Sequence, residues 1–324
     1  MLSLAAAAAQ ADGVGPLSEQ VRLHLRYGGD PAARNLLLRL GPDLAGYAHL
    51  GFADPAEGRS GELVIHPAYR RRGLGLALSR AVLAEESALP VRIWAHGDLP
   101  AAASLAAATG FRRVRSLWQM RRSLRDAVGE PRLPPGVSLR TFVPGQDEAD
   151  WILLNARAFA DHPEQGKWTR ADLEHREAAP WFDPDGFFLA ERDGHLAGFH
   201  WTKIHKPEAA QPDAGHADAG QPGGGQPEAG QPETGQPETG QPEPGPTGEP
   251  VGEVYVVGVD PAEQGTGLGR ALTLAGLRYL QQRNMPAVML YADGDNAAAI
   301  RLYSSLGFAH TATDVMYAHT PNPP

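Results

Sequence analysis

The sequence predicts an α/β chain built from two tandem copies of one domain, and three observations lead there. Its 324 residues are a length that carries roughly two domains. A block of sequence recurs: Leu63-Val64-Ile65-His66-Pro67-Ala68-Tyr69-Arg70-Arg71-Arg72-Gly73-Leu74-Gly75-Leu76-Ala77-Leu78 matches Val257-Gly258-Val259-Asp260-Pro261-Ala262-Glu263-Gln264-Gly265-Thr266-Gly267-Leu268-Gly269-Arg270-Ala271-Leu272. Each copy reads as a strand, a glycine-rich turn and a helix. Farther on, Ala108-Thr109-Gly110-Phe111 is echoed by Ser305-Leu306-Gly307-Phe308 at nearly the same distance. Self-similarity at a fixed spacing is the mark of a duplicated unit.

Taken in order, the chain begins Met-Leu-Ser-Leu followed by alanines, without the basic flank of a secretory signal; it reads as a disordered start or a first helix. Residues 1–130 form the first domain. Pro131-Arg132-Leu133-Pro134-Pro135-Gly136 is turn-rich, so 131–137 reads as a linker and 138–324 as the second domain. There, Phe187 to Ala190 and Leu196 to Trp201 are strand-like runs joined by Arg192-Asp193-Gly194, a hairpin signal. Glu253 to Val259 is a further strand. Between these strands, residues 207–250 repeat a Gly-Gln-Pro-Glu unit with too little apolar surface to offset chain entropy, which predicts disorder. Such an insert is an overgrown hairpin loop, tolerable because closure entropy grows only logarithmically with length.

Composition narrows the function. An apolar fraction of 42% suits globular cores, and no apolar run approaches the ~18–20 residues of a membrane span. The absence of cysteine excludes disulfides and thiolate metal sites and favours the cytoplasm. The net charge of −9 falls to −1 once the eight acids of residues 207–250, a stretch without Lys or Arg, are set aside. That is no footprint of a nucleic-acid binder. The histidines lack metal-ligand spacing, so no metal is expected.

A strand that feeds a Gln/Arg-x-x-Gly-x-Gly turn at a helix start can cradle phosphate. Glycine lets the backbone approach the ligand, and the helix N-terminus offers unpaired N–H donors. A lone Gly-x-Gly is weak evidence, but here it recurs with the preceding Val/Ile-x-Pro strand end and the downstream Gly-Phe. No third glycine completes a dinucleotide fingerprint.

These residues resemble the GNAT superfamily of N-acetyltransferases. The resemblance implies two domains, each a mixed central sheet flanked by helices, with acetyl-CoA as co-substrate. Its pyrophosphate would lie on the turn and its pantetheine against the splayed preceding strand. The implied contacts in the first half are Leu63, Val64, Ile65, Arg71, Arg72, Gly73, Leu74, Gly75 and Leu76. In the second half they are Val257, Gly258, Val259, Gln264, Gly265, Thr266, Gly267, Leu268, Gly269, Arg270, Asn296, Ala297, Ala298, Ala299, Ile300 and Arg301.

Within that superfamily the chain resembles the mycothiol synthase family. The resemblance runs through Trp94 to Gly97, Gln119 to Arg122, His162 to Gly166, Trp181 to Pro184, Gly198 to Lys203 and Gly252 to Pro261. It implies acetylation of the cysteinyl amine of 1D-myo-inositol 2-(L-cysteinylamino)-2-deoxy-glucopyranoside (desacetylmycothiol); separately, a monomer is expected. Glu19, Glu164, Lys203, Glu253 and Tyr291 match the residues that hold this substrate. One departure stands out: Gly265-Thr266 occupies the place of two arginines usual in the family.

The halves differ in chemistry. Aligned on Gly-Phe, Leu99 faces Asn296 and Ala106 faces Tyr303; aligned on Gly-x-Gly, Arg59 faces Glu253. The first half keeps the turn but lacks all three polar groups, so it binds CoA at most. In the second half the resemblance implies direct transfer, with Glu253 as base, Tyr303 as acid and a backbone N–H near Val257–Val259 for the developing negative charge. Four extended residues span about 13 Å, which has Glu253 acting through water or on an amine held back from Val257. The competing readings are an N-acetyltransferase with another small-molecule or protein acceptor, and a silent acyl-CoA-binding module.

Overall fold

The computed structural model describes residues 1–18, 21–22, 24–25, 32–54, 58–85, 89–160, 165–205 and 249–320. Glu19, Glu164 and all of the 207–250 insert except Glu249 and Pro250 lie outside them, and so does the disorder expected of that insert. The opening segment is the helix α1 (Leu2–Asp12), which buries Leu4, Ala5 and Ala8.

Two compact units form. The first takes its strands from β1 (Arg34–Leu40), β2 (Asp43–Asp54), β3 (Gly58–Ile65) and β4 (Val91–Ala95), with α2 (Leu74–Glu85) and α3 (Pro100–Ala108) following β3 and β4. The ladder is antiparallel up to β3, and β3 runs parallel to β4. The crossover helix that parallel neighbours require is α2, which buries Leu78 and Val82 in a core with Ala48, Leu50 and Val91.

The second unit draws on β5 (Arg112–Ser123), β6 (Val137–Thr141), α4 (Glu148–Ala158), α5 (Arg170–Glu177), β7 (Phe187–Arg192), β8 (His195–His205), β9 (Val251–Val259), α6 (Leu268–Gln282), β10 (Ala287–Asp293) and α7 (Ala297–Ser305). Its strand order is β5-β10-β9-β8-β7-β6, with β9 parallel to β10 and the remaining ladders antiparallel. The expected hairpin is present between β7 and β8. Asp193 and Gly194 take φ of 51° and 78°, the paired positive values of a type I′ turn. The duplication extends to atoms: His66 and Asp260 each accept a hydrogen bond from the N–H two residues on, at 3.2 and 3.0 Å, opening equivalent Pro-initiated turns.

The structure divides the chain differently from the boundaries read off the sequence. Residues 116–130 pack with the second unit, and 314–320 with the first. The last strand, β11 (Ala309–His319), pairs Val315–His319 antiparallel with β4, while Leu117–Ser123 of β5 pairs with β10. Each unit therefore takes in a strand from the other half of the sequence. Val315 and Tyr317 enter the first core, and Met120 enters the second. A buried ion triad fastens β11. His96 Nδ1 lies 3.1 Å from Asp314 and its Nε2 3.3 Å from Glu62. Burial alone would pull the imidazolium pKa down, but hydrogen bonds and charge from Asp314 and Glu62 outweigh it and lift it to about 10.

Candidate functional site

The second unit's site begins with a break in its sheet. The β9–β10 ladder holds only at Gly252–Val288 and Glu253–Met289, yet β9 runs on to Val259 and β10 to Asp293. Beyond Glu253 the ladder ends and the strands part. A β-bulge sits at the same point: Trp201 pairs with Val256 and Thr202 with Val254, which makes Tyr255 the extra residue. Such a bulge re-aims side chains. Val254 packs with Leu274, Leu277 and Leu280 of α6, whereas Val256 joins Trp151, Leu173 and Trp201 on the opposite face.

Strand alternation then assigns Glu253 to the face opposite Val254. On β8, Trp201, Lys203 and His205 share one face, that of Trp201, and Ile204 the other. Tyr291 lies opposite its neighbours Leu290 and Ala292, which are core residues on the α6 side. Lys203, Glu253 and Tyr291 are thus brought to one face. Glu253 is buried at 6% side-chain exposure and accepts a hydrogen bond from His205 Nε2 at 2.7 Å. The buried Lys203 ammonium lies 4.3 Å from the Trp181 ring centroid and 5.3 Å from that of Tyr255, within cation–π range. Tyr291 accepts from Gln119 at 3.1 Å. Trp181 and Tyr255 carry no signal of these roles in the sequence, whereas the i, i+2 spacing of Lys203 and His205 sets those two on one strand face.

Tyr303 stands on the other side of the gap. On α7 it packs against the cluster that holds Val254 of β9 and Leu290 and Ala292 of β10, one lip each. Its ring meets Phe308 edge-on at 5.8 Å. Burial pushes its phenol up to about 12. Asn296 caps α7, its Oδ1 accepting from Ala299 N at 3.0 Å, so part of its hydrogen-bonding capacity is already committed. Ala297, Ala298, Ala299, Ile300 and Arg301 form the helical turns that follow.

The turn itself suits a phosphate ester. Gly265 and Gly267 have φ of 77° and 90°, and a Cβ at either would meet nothing within 4 Å. Backbone conformation, not crowding, calls for glycine there. The first helical donor of α6 is Ala271, bonded to Gly267 O at 3.1 Å, so the N–H groups of Leu268, Gly269 and Arg270 have no helical acceptor. Beside the turn a cavity of about 770 Å³ is lined by Gly267, Arg270, Ser305, Arg122 and Arg132 among others. Val257, Gly258 and Val259 form the β9 lip, and Gly258 is held glycine by Phe199, whose ring a Cβ would approach to 2.4 Å.

The first unit repeats the turn without the polar groups of the second. Arg71 and Gly73 take φ of 62° and 77°, and Leu63 to Ile65 end β3 just past its last β4 partner, Glu62. Leu99 occupies the N-cap of α3 without a side-chain bond, the place Asn296 holds in the second unit, and Ala106 is buried where Tyr303 would stand. Arg70 is committed to Asp12 at 2.6 and 2.8 Å. Arg59 donates to the carbonyls of Ala32 and Gly51.

The chain belongs to the acetyltransferase (GNAT) family, whose sequence profile matches residues 6–111 and 153–308, and it is an N-acetyltransferase by class. Within that class it groups with the mycothiol acetyltransferases. It is 55% identical to that of Thermobispora bispora over 98% of this chain and 94% of the relative. It is 54% identical to that of Acidothermus cellulolyticus over 96% and 87%. Among solved structures, a GCN5-related N-acetyltransferase from Sphaerobacter thermophilus shares the fold with a TM-score of 0.66 at 24% identity, covering 99% of this chain and 91% of the other. A tandem GNAT protein of the clavulanic acid biosynthesis pathway does so at 0.65 and 22%, covering 100% and 94%. Among the described residues no helix is long and apolar enough to cross a membrane, and no group of three or more ligating side chains is arranged for a metal.

Proposed function

We propose that this chain acetylates the cysteinyl amine of desacetylmycothiol with acetyl-CoA, giving mycothiol, and that the reaction takes place in the second unit. The observation that carries the proposal is the parting of β9 and β10 just beyond Glu253, with a buried carboxylate on one face and Tyr303 on the other. The near-full-length identity to mycothiol acetyltransferases supports the choice of acceptor.

Acetyl-CoA supplies the activated acetyl group as a thioester and leaves as the thiol. Gly265, Gly267 and the free N–H groups at the start of α6 hold its pyrophosphate. Arg122, Arg132 and Arg270 provide cationic walls for the phosphorylated nucleotide end. Lys203, Glu253 and Tyr291 hold the acceptor. Glu253 takes the amine proton, directly or through one water. The amine asks little of it, since a free α-amine has a pKa of about 7.7–8. A backbone N–H of the β9 lip around Val257–Val259 meets the negative charge that develops on the acyl oxygen. Tyr303 stabilises the departing sulfur by hydrogen bonding.

The protein is read as cytoplasmic and as needing neither metal nor nucleic acid; this rests on its composition and on the net charge of −1 outside the insert. The test is an acceptor panel with acetyl-CoA, read by product mass because desacetylmycothiol itself carries a thiol. Preference for desacetylmycothiol supports the assignment. Preference for a lysine side chain or a peptide N-terminus defeats the acceptor, and no acetyl transfer to any amine defeats the enzymatic reading.

A further inference from the structure

Glu253 has a partner that the transfer mechanism above does not use. His205 lies on the neighbouring strand, where the β8–β9 register sets Lys203 opposite Glu253 and His205 opposite Val251. The imidazole therefore reaches Glu253 diagonally, a separation that long side chains span. The contact is short, 2.7 Å from Nε2 to Oε2, and both side chains are buried, at 10% and 6% exposure.

We propose that His205 is a positioning residue for acetyl transfer. By donating Nε2–H to Oε2 of Glu253, it fixes the carboxylate so that Oε1 faces the acceptor amine or its relaying water. An ionised carboxylate only accepts hydrogen bonds, so the proton belongs on Nε2, leaving Nδ1 without one in the neutral ring. The bond from His205 engages Oε2 of Glu253 and not Oε1. One oxygen is held by the imidazole, and the other is the one turned to the acceptor. On the same face the Lys203 ammonium lies over the rings of Trp181 and Tyr255. A carboxylate freed from His205 keeps its charge but loses a fixed direction, and proton abstraction depends on hydrogen-bond reach to the proton.

The inference rests on the reading of Glu253 as base, and the experiment separates the two. The full-length enzyme is assayed for kcat and for both KM values as wild type, His205→Leu, His205→Gln, Glu253→Gln and the double variant His205→Leu/Glu253→Gln. His205→Leu is expected to lower kcat by about 10- to 100-fold, the range for losing a hydrogen bond to a charged group, with the acetyl-CoA KM unchanged. His205→Gln keeps an N–H donor and recovers much of that loss. The double variant is no slower than Glu253→Gln alone, because His205 acts through Glu253. Losses that multiply in the double variant, wild-type kcat in His205→Leu, or equal slowing by Leu and Gln would each overturn the proposal. Should His205→Leu fail to fold, His205→Asn against His205→Gln carries the same comparison, since the shorter amide cannot reach Oε2 and must be the slower of the two. Wild-type turnover in Glu253→Gln sinks the underlying base assignment instead, whatever His205 does.

Discussion

Replacing Tyr303 with Phe removes one oxygen and little else. The ring keeps its edge-on contact with Phe308 at 5.8 Å and its place against the core, and α7 keeps the Asn296 cap. Folding should be nearly unaffected. The chemical cost follows from the phenol's environment. With burial pushing Tyr303 up to about 12 and a thiol near 8.5, outright proton transfer to the leaving sulfur is uphill by roughly 5 kcal/mol. A hydrogen bond that strengthens as charge gathers on sulfur is the role that remains. Such a bond to a charged group is worth about 1.5–3 kcal/mol, so kcat should fall about 10- to 100-fold. The acetyl-CoA KM should move by less than about threefold, because the bond forms mainly in the transition state. The assay is initial-rate formation of the acetylated product, read by mass, in wild type and Tyr303→Phe. A kcat within about twofold of wild type would remove Tyr303 from the reaction and refute the reasoning.

Other outcomes test separate parts. Gly267→Ala places a side chain at φ 90° in open space, so the cost is backbone strain of about 1–2 kcal/mol. Acetyl-CoA binding measured by calorimetry should weaken by about 5- to 30-fold, with kcat at saturation little changed. Arg270→Ala and Arg132→Ala should raise the KM for acetyl-CoA while leaving that for acetyl-dephospho-CoA alone, if these walls read the 3′-phosphate. His96 is raised from an unfolded value near 6.5 to about 10. The folded state thus binds the proton more tightly, and the stabilisation is complete below pH 6.5 and lost as pH climbs to about 10. Urea melts over that range should show the first unit weakening, and His96→Gln should flatten the slope. His200 shows the reverse. Burial, against a raising bond to Leu272 O, brings it down to about 4, so its contribution is present above pH 6.5 and lost as pH falls from there toward 4.

Local signals in the sequence carried far. The hairpin at Asp193-Gly194 was legible because only a few residue types accept paired positive φ, and the two Gly-x-Gly turns because a helix start with that backbone needs glycine. The pairing of Leu99 with Asn296 and of Ala106 with Tyr303 also holds at the level of position, since each half places them at an N-cap and one face farther along. The strands that each unit takes from the other half were not legible. Strand pairing is non-local, and nothing in Val315 or Tyr317 states whether β4 or a strand nearer in sequence will receive them. The bulge at Tyr255 was hidden for a related reason. Val254 and Val256 are alike as residues, and only the register with β8 reveals that they face opposite ways. By that route the structure supplies a geometry for Glu253 that a uniform count of extended residues misses.

The central claim is that acetyl transfer occurs where β9 and β10 part in the second unit. Its most direct test is a crystal structure of the protein with acetyl-CoA bound. The account predicts the thioester in that gap, with sulfur beside Tyr303 Oη and the carbonyl carbon open to the Glu253 face. A thioester lying outside the gap, or seated solely in the first unit, would contradict it.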